Sequence, residues 1–211
     1  IGAYLKRENP TDSLVLRPGL TLEELRRVEG EGLKLGTNSV RRGALVRNLF
    51  PRIEVIHFRG AADTRIDKLD YGKMQQQVDG SEVGPADAIL LATAGMARIG
   101  MAERSDYRFS TDEMLPAVGQ GIVAVECAET DWATRERLAR LDDPAARACA
   151  QAEREMLWVL DGHCNSPMAG FATIDGEVMT LNAAVMSLDG ETILTHEARG
   201  PSEYPRELGR N

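Results

Sequence analysis

Leu33-Lys34-Leu35-Gly36-Thr37-Asn38-Ser39-Val40-Arg41-Arg42 is the stretch on which the architecture turns. Leu33 to Leu35 is a short apolar strand, and Gly36-Thr37-Asn38-Ser39 is turn and helix-cap chemistry. Val40, Ala44, Leu45 and Leu49 then recur at helical spacing. The same hand-over from strand to helix occurs twice more. Ile53 to Phe58 ends at Arg59-Gly60 and is followed by a helix through Thr64, Ile66 and Leu69. Ala88 to Leu91 ends at Thr93-Ala94-Gly95 and leads into a turn or short helix carrying Arg98. Strands alternating with helices predict an α/β unit built on a parallel sheet.

Outward from this core the character changes. Residues 1–12 read as the end of a strand and a turn at Asn9-Pro10. Thr21 caps a helix from Leu22 to Arg27, with Glu24 completing a capping box and Gly30 and Gly32 ending it. The polar stretch from Lys73 to Pro85 reads as an exposed loop. Leu115-Pro116-Ala117-Val118-Gly119-Gln120-Gly121, with its proline and glycines, suggests a crossover between domains and leads into a strand from Ile122 to Cys127. A helical region from Trp132 to about Leu160 places Ala148, Ala152, Met156 and Val159 at helical spacing, and Asp161 to Pro167 is a turn-rich loop. Val178, Thr180, Leu181, Ala183, Val185 and Ser187, closed by Asp189-Gly190, predict an antiparallel sheet with a hairpin. The C-terminal part is therefore α+β.

The 211 residues carry a net charge of −8 and 5% aromatics, which disfavours nucleic-acid binding, and no stretch approaches a membrane span. Three cysteines, Cys127, Cys149 and Cys164, without a CxxC pair, argue against a disulfide framework or a zinc site and fit a reducing cytoplasm. No metal site is expected. Basic residues concentrate between Arg41 and Lys73, where Arg41, Arg42, Arg47, Arg52, Arg59, Arg65, Lys68 and Lys73 face only Glu54, Asp63, Asp67 and Asp70.

Ligands of open α/β sheets bind beyond the carboxyl ends of the strands. That rule brings Arg41, Arg42, Arg59, Arg65 and Arg98 to one edge, with the hydroxyls of Thr37 and Ser39 at a helix N-terminus suited to anions. Two arginines in a first helical turn oppose the helix dipole, by about 0.3–1 kcal/mol each. A bound anion would offset that cost, and Arg suits fixed carboxylates because it binds them through two parallel hydrogen bonds. Solvation of the same side chains is the bland alternative. Cys164 lies among turn formers in Asp161-Gly162-His163-Cys164-Asn165-Ser166-Pro167 and reads as accessible, whereas Cys127 in a strand and Cys149 on a helix read as buried small hydrophobes.

Taken in order, Gly36-Thr37-Asn38-Ser39-Val40-Arg41-Arg42, Phe58-Arg59-Gly60, Thr64-Arg65 with Lys68-Leu69-Asp70, Ala94-Gly95 with Arg98, Leu115 to Gly121, and Gly162-His163-Cys164 resemble the porphobilinogen deaminases (hydroxymethylbilane synthases), and Arg7-Glu8-Asn9-Pro10-Thr11-Asp12 resembles that family's entry to its second domain. The resemblance covers nearly the whole chain. It implies a transferase of porphyrin, tetrapyrrole and haem biosynthesis that joins four porphobilinogens head to tail and releases ammonia from each. It implies a covalent dipyrromethane cofactor on Cys164, cofactor contacts from Thr37, Ser39, Arg41, Arg42, Gly95 and Gln120, and substrate contacts from Arg59, Arg65 and Arg98.

By the same resemblance, residues 1–10 and 121–140 are a remnant of a first domain. Residues 11–116 are a second domain like a lobe of periplasmic binding proteins, and residues 141–211 a third, α+β domain carrying the cofactor cysteine. The implied partners are porphobilinogen and the growing polypyrrole, with no nucleic acid and no membrane, on a cytoplasmic monomer. The family's catalytic aspartate sits in a His-Ser-Leu-Lys-Asp-Val-Pro-type segment upstream of residue 1, so the chain as given is expected to be inactive alone. The cysteine loop departs from the family's usual Gly-Cys-Gln-Val, and the Lys73 to Pro85 stretch is longer than usual. The alternative reading is a non-catalytic module that binds small anions, of the same two-lobed type.

Overall fold

The computed structural model describes residues 1–76 and 79–211. The chain opens with β1 (Ala3–Tyr4) and β2 (Asp12–Leu16), then α1 (Leu22–Arg27), β3 (Lys34–Gly36), α2 (Val40–Leu49), β4 (Glu54–Ile56) and α3 (Ala62–Asp70). A small hairpin of β5 (Gln75–Gln76) and β6 (Glu82–Val83) follows, then β7 (Ala88–Ala92), α4 (Thr93–Arg98) and β8 (Tyr107–Arg108). After the crossover come β9 (Ala124–Val125), α5 (Trp132–Ala139), α6 (Pro144–Val159), β10 (Met168–Asp175), β11 (Val178–Met186), β12 (Ile193–Pro201) and α7 (Pro205–Arg210).

The central sheet has the order β4-β3-β7-β2-β8. β3, β4 and β7 are mutually parallel, as the strand–helix alternation predicts, but β2 runs antiparallel to both β7 and β8, so the sheet is mixed. The reason is connectivity: the crossover Arg7–Asp12 delivers β2 from the opposite end, with no preceding helix to reverse the chain. Consecutive side chains of a strand point to opposite faces. Leu14 and Leu16 of β2 with Leu90 of β7 therefore join one core, with Leu25, Leu35, Val46 and Phe50. Val15, Ile89 and Leu91 join the other, with Phe58, Ile66, Leu69 and Met96 of the α3–α4 side.

The N-terminus of α1 carries the capping box expected at Thr21 and Glu24. The helical region after Trp132 is two helices, because Asp143 caps a new start and Pro144 occupies its first turn. Of the expected stripe on α6, Ala152 and Met156 are buried, while Val159 is exposed. The strand expected from Ile122 to Cys127 shortens to two residues paired with β1. The Lys73 to Pro85 stretch contains the β5–β6 hairpin, with residues 77–78 outside the described residues.

β10, β11 and β12 form an antiparallel meander. α6 covers one face of it through Cys149, Ala152 and Met156 against Ala172, Met179 and Leu181. Ala169, Ala184 and Met186 belong to the core that contains α2, so the meander packs against the central unit. No helix among the described residues is long and apolar enough to cross a membrane.

Candidate functional site

The carboxyl ends of β3, β4 and β7 lie side by side. Ser39 caps α2 there by accepting the Arg42 N–H, and the Thr37 hydroxyl accepts the Ser39 N–H at 3.2 Å. Thr37 is buried, while the Ser39 hydroxyl hydrogen has no acceptor among the described residues. Gly95, in α4, is exposed, and a Cβ there would meet nothing.

The predicted arginines divide into two groups. Arg41 is 3% exposed. Its guanidinium donates to the Leu115 carbonyl at 2.7 Å, to Asp12 Oδ2 at 2.7 Å and to Gln120 Oε1 at 3.2 Å. Arg42 donates to Asp12 Oδ1 through Nε at 3.0 Å and Nη2 at 2.7 Å. Gln120 completes the cluster by donating to the Pro10 carbonyl at 2.6 Å and to Asp12 Oδ1 at 3.0 Å. Burial alone would raise the Asp12 carboxyl, but the charges of Arg42 and Arg41 outweigh it and hold it below its ordinary range.

Asp12 was not among the predicted site residues. It opens β2, and because β2 is antiparallel its first residue lies opposite Ala92, at the carboxyl end of β7. The internal carboxylate therefore stands at the arginine edge. Arg41 and Arg42 already have an anion in Asp12, which answers the dipole cost of placing two cations in that turn. Arg41 ties the two crossovers together, and only Arg42, partly exposed, still fronts the edge.

Arg59, Arg65 and Arg98 form the second group. None has a carboxylate partner among the described residues. Arg65 Nε donates to the Gly60 carbonyl at 2.7 Å, which leaves its two terminal nitrogens for another acceptor. Partial burial, and then repulsion from Arg42, lower the Arg65 guanidinium. A cation held beside another cation with no counter-charge is suited to an incoming anion.

Cys164 is exposed, Cys149 is buried and Cys127 is half-buried, past the end of β9 rather than within it. Burial pushes the Cys149 thiol up to about 11. His163 does not serve Cys164: its N–H donates to the Ser166 hydroxyl, and its Nδ1 bonds the same oxygen at 3.2 Å. The loop reaches the crossover through its neighbours, since the Met186 N–H donates to the Pro167 carbonyl and the Gly170 N–H to the Pro116 carbonyl. No cluster of metal-ligating residues occurs among the described residues.

A second buried carboxylate joins the parts. Glu153 of α6 is fully buried and accepts from Arg7 Nη2 at 2.7 Å, the Ala172 N–H at 2.8 Å and the Gly119 N–H at 2.6 Å. Its position at helical spacing between Cys149 and Met156 was visible in the sequence, but a buried acid cannot be told from an exposed one without its partner.

The family model described as porphobilinogen deaminase, dipyromethane cofactor binding domain, matches residues 1–136, and that described as porphobilinogen deaminase, C-terminal domain, matches residues 147–211. The chain is similar to porphobilinogen deaminase 2 of Streptomyces coelicolor, 41% identical over 210 residues, covering 98% of this chain and 61% of that protein. It is similar to the porphobilinogen deaminases of Syntrophobacter fumaroxidans, 36% identical over 211 residues, and Chromobacterium violaceum, 38% identical over 210 residues, covering 100% of this chain and 63% of each. The chain thus spans 61–63% of the length of these curated relatives. With ordered motifs, an arginine edge and two family models all agreeing, the chain belongs to the porphobilinogen deaminase family.

Proposed function

We propose that this chain serves the head-to-tail condensation of four porphobilinogens to hydroxymethylbilane, with release of ammonia from each, as a cytoplasmic monomer in tetrapyrrole biosynthesis. The observation that carries the reading is the set of three arginines that follow β4 and β7 in the chain, Arg59, Arg65 and Arg98, without carboxylate partners among the described residues. A pyrrole bearing an acetate and a propionate is an acceptor of matching chemistry. Three unpaired cysteines support a reducing compartment.

Dipyrromethane fits the residues present: Cys164 is the exposed thiol of the three. Bound there as a thioether, the group would supply the pyrrole carbon on which the chain is extended. Ser39, Arg42 and Gln120 would orient it, with Thr37 and Gly95 shaping the edge and Arg41 holding Asp12 and the crossover in place. No His-Ser-Leu-Lys-Asp-Val-Pro-type segment occurs in these residues, so the reading assigns them binding and attachment and no catalytic acid.

In this reading residues 1–10 and 121–140 belong to one lobe, residues 11–116 to a second like a lobe of periplasmic binding proteins, and residues 141–211 to a third domain. The pairing of β1 with β9, apart from the central sheet, supports the division.

Calorimetric titration with porphobilinogen tests the reading. Arg59→Leu or Arg65→Leu should weaken binding by about tenfold or more, as expected for loss of a hydrogen bond to a charged group. Arg52→Leu, whose partners are the exposed Glu29 and Glu31, should not. Absence of binding, or equal effects at all three positions, refutes the proposal. In a chain extended to the length of its relatives, a dipyrromethane-sized mass should sit on the Cys164 peptide and vanish with Cys164→Ser.

A further inference from the structure

Asn38 and His57 form a pair at the edge that lies outside the arginine set. The Phe58 N–H donates to Asn38 Oδ1 at 2.9 Å, which identifies that atom as the amide oxygen, and His57 Nδ1 lies 2.6 Å from it. An oxygen already accepting a backbone N–H can only accept again, so Nδ1 carries the imidazole hydrogen. Nε2 is left as an acceptor in the neutral ring and a donor in the cationic one. His57 is exposed and has no second partner among the described residues.

The loop beneath the ring is held at successive backbone groups. The Arg59 N–H donates to Gln75 Oε1, Lys68 Nζ donates to the Arg59 carbonyl at 3.0 Å and to Gln75 Oε1 at 3.1 Å, and Arg65 binds the Gly60 carbonyl. Gly36 pairs with Ile56, and the Thr37 N–H donates to the Ile56 carbonyl at 3.0 Å. His57 therefore follows β4 directly beside Thr37, Asn38 and the N-terminus of the ten-residue α2. Capping the strand needs only the bond from Phe58 to Asn38, so the imidazole is surplus to that task. The charged side chains on the surrounding elements are Lys34 on β3, Glu54 on β4, Arg41, Arg42 and Arg47 on α2, Asp63, Arg65, Asp67, Lys68 and Asp70 on α3, Arg98 on α4, and Arg59 in the loop; Asp12 is paired to Arg41 and Arg42, Asp70 to Arg104, and Lys34 to Glu54.

We propose that His57 is a further substrate-contacting residue, held by Asn38 so that Nε2 donates to a ligand carboxylate after taking a proton from solvent. This rests on the reading of the edge as a site for pyrrole carboxylates. Porphobilinogen should be titrated calorimetrically into the 211-residue chain at pH 8, where free imidazole is neutral, in two buffers of different ionisation enthalpy. The wild-type chain should take up a proton on binding. His57→Gln should bind about tenfold more weakly, the lower end for a charged hydrogen bond, and without proton uptake. His57→Asn is a second variant with the same expectation. If wild type binds and Arg59→Leu weakens binding while both His57 variants match wild type in affinity and proton uptake, this inference alone is overturned. If wild type does not bind, or Arg59→Leu matches it, the reading of the edge fails and this inference fails with it.

Discussion

Arg41→Leu should act on the stability of this protein before it acts on any ligand. The guanidinium is 3% exposed and joins three segments distant in sequence: Asp12 at the start of β2, Leu115 at the crossover and Gln120 beyond it. Truncation leaves the Leu115 carbonyl without this donor and the buried Asp12 with Arg42 and Gln120 alone. Removing one member of a buried pair costs about 3–5 kcal/mol, and the surviving Arg42 places this case near about 3 kcal/mol. Urea unfolding followed by circular dichroism reads the loss as a lower midpoint at constant slope. Arg52→Leu is the control: both its partners are more than half exposed, and the cost should stay below about 1 kcal/mol. Equal midpoints for the two variants would refute the assignment of Arg41 as a structural tie. The pH dependence follows from the same pair. The Asp12 carboxyl is held below its ordinary value of 3.8, so its contribution is complete above that value and is lost as pH falls through the lower folded one. The stability gap between wild type and Asp12→Asn should be constant above about pH 5 and shrink below about pH 4.

Glu153→Ala removes the acceptor of three hydrogen bonds and leaves Arg7, whose Nε is buried without a partner among the described residues, uncompensated; a loss of about 3–5 kcal/mol in urea unfolding is expected, and a loss below about 1 kcal/mol would contradict the role given to Glu153. Gly190→Ala should destabilise by about 2 kcal/mol or more, because φ is +77° and an added Cβ would overlap the Ala44 carbonyl oxygen of α2; a neutral substitution would show that the hairpin does not press on α2. Iodoacetamide at pH 8 should label Cys164 in the native protein and leave Cys149 unmodified until urea is added, since burial pushes that thiol up to about 11; peptide mass mapping decides, and early labelling of Cys149 would refute the packing of α6.

The local elements were legible in the residues that begin them. Thr21 with Glu24 and Ser39 before Val40 are start signals that act within one helical turn, and each caps the helix that follows it, whereas Asp143 before Pro144 went unread inside one long helical region. The run from Val178 to Ser187 became β11, with Met179 and Leu181 buried against α6 and Ala184 and Met186 buried in the core that contains α2. The parallel trio β3, β4 and β7 followed from the strand–helix rhythm. The direction of β2 was not legible there. No residue within Asp12–Leu16 encodes whether the strand runs with or against β7, because pairing direction is set by where the connecting chain enters. That direction put Asp12 against Arg41 and Arg42 and gave both an internal carboxylate partner. Burial of Glu153 was equally hidden, since its three donors come from Arg7, Gly119 and Ala172, and a buried charge becomes intelligible only when segments far apart in sequence meet around it.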